Sequence, residues 1–478
     1  MLYKKLLPYE AAYLILEAYI SYHGKYKRIT KRARLRFEHR DWHGIQADSR
    51  ERISLYKEMV GQTKHKLQDL LGEQAADRSV WLATKMHYAH EIANFNTRNI
   101  AETFYNSVFR HVHHGMLGKD DELMFVYRSG SYREFRSTKP IYFSLNIAGS
   151  YDLTMRYLLD YFPFETPFEN LERDRGYLAR CLREWVQEHG APDFPIELEV
   201  LKSVFFRNKA AYIVGRLIQH GRPTPVVIPI LNGENGLVID AMLLDDRDVS
   251  TIFSYNRSYF LVDVDIVSEM VDFLKSIMPS KSLGVLYNSI GFEKHGKTVF
   301  FRDFERHLLQ SEDHFQYPAG IKGMVMTVFT LPSYPYVFKV IKDRFAPPKQ
   351  VTFHEVVERY ELVNRHDRVG RMADSYLFNA LSLPLKRIDP EVLHELQTEC
   401  ASRIEIKEQE LVLKHVYIEK RMIPLDVYLR SAEPDEVREV INEYGKAIKE
   451  MAAVNIFPGD MLLKNFGVTR LGRVVFYD

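Results

Sequence analysis

Apolar positions recur at helical spacing through most of the first 115 residues. Tyr9–Tyr22 reads as one helix. A second opens at Asp41-Trp42 and runs to about Leu71, with Ile45, Ile53, Tyr56, Val60, Leu67 and Leu71 along its apolar stripe. Val80–Ala93 and Ile100–His111 read as two more, and Phe104, Tyr105 and Phe109 in the last are core candidates. His111, His113 and His114 read as a surface helix end, because no cysteine or carboxylate stands beside them at metal-ligand spacing. The pattern then changes. Leu123–Tyr127 and Ile141–Leu145 are strand-like, and helices resume at Tyr151–Tyr161 and Leu171–His189. Ile196–Val200, Thr224–Ile230, Gly236–Leu244 and Ser258–Val264 read as strands. The run NGENG at 232–236 is a hairpin-turn signal between two of them. Arg207–Ala211 opens a helix or a strand with basic residues at its head. Ile266–Ile277 and Thr298–Gln310 read as helices, and a domain boundary falls near Ser311–Asp313.

Beyond that boundary the pattern carries candidate chemistry. Pro318–Gly323 is a short glycine-containing loop, followed by a strand Met324–Phe329, a turn at Pro332 and a strand Tyr336–Ile341. Alternation puts Lys339 on one face with Val337 and Ile341. A lone buried ammonium is costly, so Lys339 requires an anionic partner: phosphate oxygens or a helix glutamate. Lys342 points the other way, toward solvent. Phe353–Val363 reads as a helix offering Glu355, Glu358 and Glu361 as that glutamate. The charged loop HDRVGRMAD (366–374) follows, and composition does not single out its last residue, Asp374. Leu411–Glu419 reads as a strand and Tyr417–Leu425 as a hinge whose backbone suits an adenine edge. Ser431 and Pro434 mark the start of a helix with Val437, Val440, Ile441, Tyr444, Ile448, Met451 and Ala452 on its apolar side, ending at Asn455.

The last twenty residues, GDMLLKNFGVTRLGRVVFYD (459–478), set Asp460 and Asn465 in a D-x-x-x-x-N arrangement. Two β-like runs follow, Phe466–Thr469 and Arg473–Tyr477, turning at Leu471-Gly472 and ending on Asp478. Phosphoryl transfer needs such parts together: a carboxylate to orient the attacking hydroxyl, and an amide oxygen and a second carboxylate to hold Mg²⁺. The order of glycine loop, strand lysine, glutamate helix, hinge, amphipathic helix, Asp…Asn loop and hairpin is that of a protein-kinase-like fold.

Composition narrows the setting. The 478 residues suffice for two or three domains, and 46% hydrophobic with 27% charged residues marks a globular chain. A net charge of +1 provides no global attraction to nucleic acid or membrane. The two cysteines, Cys181 and Cys400, lie far apart, which suits a reducing cytosol. Pro8, Glu10 and Glu17 interrupt the apolar N-terminus, so neither a signal peptide nor a membrane helix is expected.

The segments Gly320–Ala346, His366–Asp374 and Asn455–Asp478 resemble the isocitrate dehydrogenase kinase/phosphatase family, bacterial bifunctional enzymes. The likeness extends to FYNSVF (104–109), FFRNKAAYIVG (205–215) and RSYFL (257–261) and covers nearly the whole chain. It implies an α+β protein: a mostly helical regulatory and substrate-docking domain over 1–312, then a bilobal protein-kinase-like domain over 313–478. It implies a kinase that uses ATP to inactivate isocitrate dehydrogenase at a serine, a phosphatase that reverses this, and control of flux between the Krebs cycle and the glyoxylate bypass. ATP, ADP and Mg²⁺ or Mn²⁺ are the implied cofactors, with adenine nucleotides also acting as regulators. By that likeness the ATP loop falls on Pro318, Ala319, Gly320, Ile321, Lys322, Gly323 and Met324, and the ATP-binding lysine on Lys339. The kinase base falls on Asp460, metal ligation on Asn465 and Asp478, and the phosphatase aspartate on Asp374. The expected setting is cytoplasmic, with isocitrate dehydrogenase as partner and no nucleic acid or membrane. Two departures stand out. Pro458-Gly459 replaces the His-Arg of ordinary protein kinases, which agrees with this family, but Gly-Asp, here Gly459-Asp460, also occurs in small-molecule kinases. The family continues past the position of Asp478 with another acidic residue and further helices, so the large lobe is expected to be incomplete, with apolar surface exposed beneath the catalytic loop. Two other readings stay open: a catalytically inactive module that binds nucleotide or a partner, and a kinase for a small hydroxylated metabolite.

Overall fold

A computed structural model describes residues 2–113, 122–126, 140–147, 149–189, 195–254, 259–320, 322–345, 351–366 and 369–477. Ile321 and Asp478 of the expected site lie outside the described residues, as do His114, Tyr127 and Arg257-Ser258. The chain divides into two compact units, one within Met1–Gly296 and the other chiefly Lys297–Asp478.

The first unit opens with α1 (Leu2–Glu38). It is far longer than the expected Tyr9–Tyr22, because its buried stripe continues through Tyr26, Ile29, Ala33 and Phe37 beneath a basic outer face. α2 (Trp42–Leu71) starts where Asp41 accepts the Gly44 amide at 2.8 Å. α3 (Arg78–Glu91) and α4 (Arg98–Val112) complete a helical layer. Its core is aromatic: Tyr19, Trp81, Tyr88, Phe104, Tyr105 and Phe109 are all essentially inaccessible. The expected strand at Leu123–Tyr127 does not form among residues 122–126. Both amide groups of the Asn106 side chain bond the Phe125 backbone, which supplies the partners a strand would need.

A six-stranded antiparallel sheet follows, from β1 (Tyr142–Asn146), β2 (Glu197–Leu201), β3 (Phe205–Arg207), β4 (Ala210–Gln219), β5 (Arg222–Asn232) and β6 (Leu237–Ile239). Its order is β1-β2-β4-β5-β6, with β3 paired to β4. Arg207–Ala211 is thus a hairpin, turning at Asn208 with φ 54°. The expected strand Gly236–Leu244 shrinks to β6 plus a bridge from Leu243 to Val227. Among the described residues 259–264 only Leu261 pairs, with Phe206. Between β1 and β2, α5 (Tyr151–Asp160) and α6 (Leu171–His189) pack Met155, Leu158, Leu178 and Leu182 onto the sheet residues Leu198, Ile213 and Ile228. α7 (Asp246–Ile252), α8 (Val267–Ile277) and α9 (Leu283–Ser289) follow, and α10 (Glu293–Gln310) carries the chain into the second unit.

The second unit contains β7 (Met326–Thr330), β8 (Tyr336–Ile341), α11 (Phe353–His366), β9 (Ser375–Phe378), β10 (Leu381–Pro384), α12 (Pro390–Glu399), β11 (Ile404–Lys407), β12 (Glu410–Leu413) and β13 (Val416–Lys420). It ends with β14 (Ile423–Pro424), α13 (Leu425–Ser431), α14 (Pro434–Ala453), β15 (Phe466–Val468) and β16 (Val474–Phe476). The main sheet is antiparallel in the order β7-β8-β13-β9, and β10-β12-β11 and β14-β15-β16 form two smaller sheets. The expected strand Leu411–Glu419 is split at Lys414-His415 into β12 and β13, which join different sheets. Ser431 ends α13, and the next helix is capped by Glu433 and Glu436 in a reciprocal capping box with Pro434 in its first turn. Phe300 and Phe304 of α10 join Phe315, Phe329, Phe338, Ile418, Leu383 and Leu396 in one core. Each such side chain contributes about 1.5–3 kcal/mol on burial. A second core joins Val440, Ala447 and Met451 of α14 to Leu425, Phe466, Val474 and Phe476. Among the described residues no helix is long and apolar enough to cross a membrane.

Candidate active site

Strand register places the lysine. In the hairpin β7–β8 Lys339 stands opposite Val328, and on its other side it stands opposite Tyr417 of β13. It is therefore central in the sheet and only 7% exposed. Its ammonium meets Glu419 Oε2 at 2.8 Å and donates to the Tyr477 carbonyl at 2.8 Å. Glu419 lies two residues beyond Tyr417, on the same face of β13, and is itself 2% exposed. The expectation that a glutamate of α11 would pair with Lys339 is corrected. Glu355 is committed to its own helix start, where it accepts the Thr352 amide at 2.6 Å while Thr352 Oγ1 accepts the Glu355 amide at 3.3 Å. Glu358 is exposed. What α11 sends to the site is Tyr360, which stacks on Tyr417 with centroids 3.9 Å apart and donates to Glu419 Oε1 at 3.1 Å. Lys342 is corrected too: its side chain is only 14% exposed, 3.5 Å from Glu395 Oε1.

The D-x-x-x-x-N segment is folded back on itself. Asn465, 3% exposed, donates from Nδ2 to the Asp460 carbonyl at 3.0 Å. Its carbonyl accepts the Tyr477 amide at 3.0 Å, and the Tyr477 hydroxyl donates to the Lys464 carbonyl at 2.6 Å. The Asp460 carboxylate is exposed and bonds no described residue. Asn465 and Lys339 thus meet at Tyr477, the residue before Asp478. Asp374 reaches the same strand by another route. Met372 bridges Phe476 in parallel, the Phe476 amide donates to the Arg371 carbonyl at 2.7 Å, and the Ala373 amide donates to the Phe476 carbonyl at 2.8 Å. Asp374 is the next residue. The buried Arg371 secures this bridge, donating to Glu450 and Glu443 of α14, each at 2.6 Å, and to the Val474 carbonyl at 2.9 Å.

The loop Pro318–Met324 is held from a different side. Gly320 has φ +119°, and a Cβ there would stand 3.3 Å from the Pro424 ring, so the loop lies against the end of β14 in a conformation suited to glycine. Lys322 donates to Glu395 Oε2 at 3.1 Å. Hydrogen bonds from Tyr317, Lys322 and Thr327 and the nearby charge of Lys342 outweigh the effect of burial on Glu395, holding its carboxyl at about 2.

The interactions unforeseen in the sequence are those of Glu419, Tyr360, Arg371 and Glu395. Only Glu419 carried a readable signal. It closes a run of apolar strand residues, so the reasoning that demanded an anion for Lys339 also demanded a cation for Glu419.

A buried strand lysine beside an Asp…Asn loop and the hairpin that follows it are parts found in a kinase domain, although here the carboxylate partner comes from β13 and not from the helix. Residues 313–478 match the family model described as isocitrate dehydrogenase kinase/phosphatase (AceK) kinase domain, and residues 12–312 match the regulatory domain of the same family. Curated relatives named isocitrate dehydrogenase kinase/phosphatase include that of Cupriavidus metallidurans, 41% identical over 99% of this chain and 79% of the relative. That of Burkholderia multivorans is 42% identical over 100% of this chain and 80% of the relative. The chain belongs to the isocitrate dehydrogenase kinase/phosphatase family.

Proposed function

We propose that this chain transfers the γ-phosphoryl group of ATP to a serine of isocitrate dehydrogenase, inactivating it, and also removes that phosphate. The balance would direct flux between the Krebs cycle and the glyoxylate bypass in the cytoplasm. In this reading residues 1–312 regulate and dock the substrate, and residues 313–478 carry the chemistry. Asp460, exposed and unpaired among described residues, orients the serine hydroxyl. Lys339 and the loop Pro318–Met324 hold the phosphates. Asn465 fits a metal ligand: its Nδ2 is occupied by the Asp460 carbonyl, which leaves Oδ1, a hard oxygen donor, for a cation shared with Asp478. Bound Mg²⁺ or Mn²⁺ would neutralise charge developing on the transferred group. Asp374 serves the phosphatase reaction, with ADP retained at the same nucleotide site and adenine nucleotides also regulating the balance.

The observation that carries the reading is the contact of the Lys339–Glu419 pair with the Tyr477 carbonyl. It ties the sheet lysine to the residue before Asp478. The test combines this chain with isocitrate dehydrogenase, ATP and Mg²⁺, following dehydrogenase activity and phosphoserine together. Activity should fall as phosphate is incorporated, and Asp460→Ala should slow transfer by about 10²–10⁴-fold. ATP binding without transfer would instead support an inactive nucleotide-binding module. Transfer only to a small hydroxylated molecule would support a metabolite kinase.

A further inference from the structure

Glu395 lies outside the segments that carry the expected site residues. It sits on α12, in the segment between β9 and β13, yet four donors from the neighbourhood of the loop converge on its carboxylate. Tyr317, just before the loop, donates its hydroxyl at 2.6 Å. Lys322, within the loop, donates at 3.1 Å. Thr327, on the strand that leaves the loop, donates at 3.0 Å to the other oxygen. Lys342, just after the strand of Lys339, lies 3.5 Å from that same oxygen. An ionised carboxylate offers about four lone-pair sites, so this one is saturated. Lys322 also lies 3.8 Å from the Tyr317 ring centroid, so one side chain braces the other. The Glu395 side chain is 14% exposed, whereas that of Lys322 is 63% exposed. The carboxylate is therefore the fixed end of the arrangement and the lysine its solvent-facing end.

We infer that Glu395 is a positioning residue for the loop Pro318–Met324, holding Lys322 and both flanks of the loop in the geometry that receives a nucleotide polyphosphate. This rests on the reading of that loop as the nucleotide loop. The physical logic is preorganisation: Lys322 and the loop flanks, already held by charge-assisted bonds, lose less freedom when a ligand arrives. Glutamine at this position keeps the size but replaces one acceptor oxygen with a donor, which faces donors.

The test is calorimetric titration of the whole chain with MgATP and MgADP. Glu395→Gln should weaken both by roughly three- to ten-fold, the scale of the net contribution of one ordinary hydrogen bond. Glu395→Asp should recover part of that loss. In a Lys322→Met background the Glu395→Gln effect should shrink to less than half on a logarithmic scale, since the two residues act as one unit. Tyr317→Phe removes one donor while leaving the carboxylate, and should weaken binding even if Glu395→Gln does not fold. A lowered melting temperature with unchanged nucleotide affinity would make Glu395 merely structural and overturn the inference, as would tighter binding. If Lys322→Met weakens binding while Glu395→Gln and Tyr317→Phe do not, only the positioning role fails. If all three leave affinity unchanged while Lys339→Met abolishes it, the loop reading fails and takes this inference with it.

Discussion

At the scale of single residues, the buried pair Lys339–Glu419 decides most. Both groups are below 10% exposed, and breaking such a pair from one side leaves a charge without its partner, at a cost of about 3–5 kcal/mol. Glu419→Gln should therefore lower stability by that order and weaken ATP binding in calorimetry. Glu358→Gln, on the exposed side of α11, should stay within about 0.5 kcal/mol of the parent in denaturant melts. A larger effect of Glu358→Gln would return the partnership to the helix. The burial of Lys339 was legible from alternation alone, because a strand's two faces are a local property. Glu419 showed in the sequence only its own need for a cation, and not that Lys339 would supply it. Glu419 meets Lys339 only through the pairing of β8 with β13, across a sequence separation that local pattern does not encode. Asp374 was the least legible of all. Nothing in HDRVGRMAD sets it apart, and its neighbourhood is defined by a two-residue parallel bridge to β16.

At the scale of elements, long periodic helices were readable and short strands were not. β9, β10 and β11 are each four residues long and α12 only ten, too brief for a clear period, yet one of them completes the main sheet and another carries Glu395. The stripe of α1 was readable only in part, because the basic residues covering its second half hide a continuing apolar face. Two predictions belong here. Arg371 joins α14 to the β16 bridge that precedes Asp374, and Arg371→Ala would leave Glu443 and the Val474 carbonyl without their buried donor. A loss of several kcal/mol, about 3–5, is expected in thermal or urea melts. Under the role proposed for Asp374, phosphatase turnover should fall more than nucleotide affinity, because the change acts through the Asp374 segment. The second concerns pH. Glu395 titrates at about 2 in the folded chain, and a glutamate in an unfolded chain titrates near ~4.3. The folded pKa is depressed, so the stabilisation is fully present above the unfolded value and is lost as pH falls toward the folded one. Between about pH 4.5 and pH 2 the parent should lose stability more steeply than Glu395→Gln, as read by urea midpoints along that range. Parallel acid limbs would remove the carboxylate from this role.

At the scale of the whole molecule, the segment around Asp460, proposed above as the catalytic loop, exposes apolar side chains. Phe457 is 68% exposed, Leu462 49%, Met461 43% and Leu463 38%. A run of large exposed apolar side chains in one short segment marks a surface that meets another molecule. Net charge near zero provides little long-range steering of a partner, so contact surface must supply much of the recognition. A phosphoacceptor that is a folded protein has to cover residues flanking Asp460 when its serine approaches, whereas a small metabolite does not. Phe457→Ser should therefore raise KM for isocitrate dehydrogenase by roughly five-fold or more, the effect of losing one well-buried interface aromatic. The Kd for ATP should stay unchanged, since Phe457 lies on the loop and not on the lysine-bearing sheet. Equal KM values for parent and variant in steady-state phosphorylation would show that the substrate reaches Asp460 without covering this segment, and would direct the search for its docking surface elsewhere on the chain.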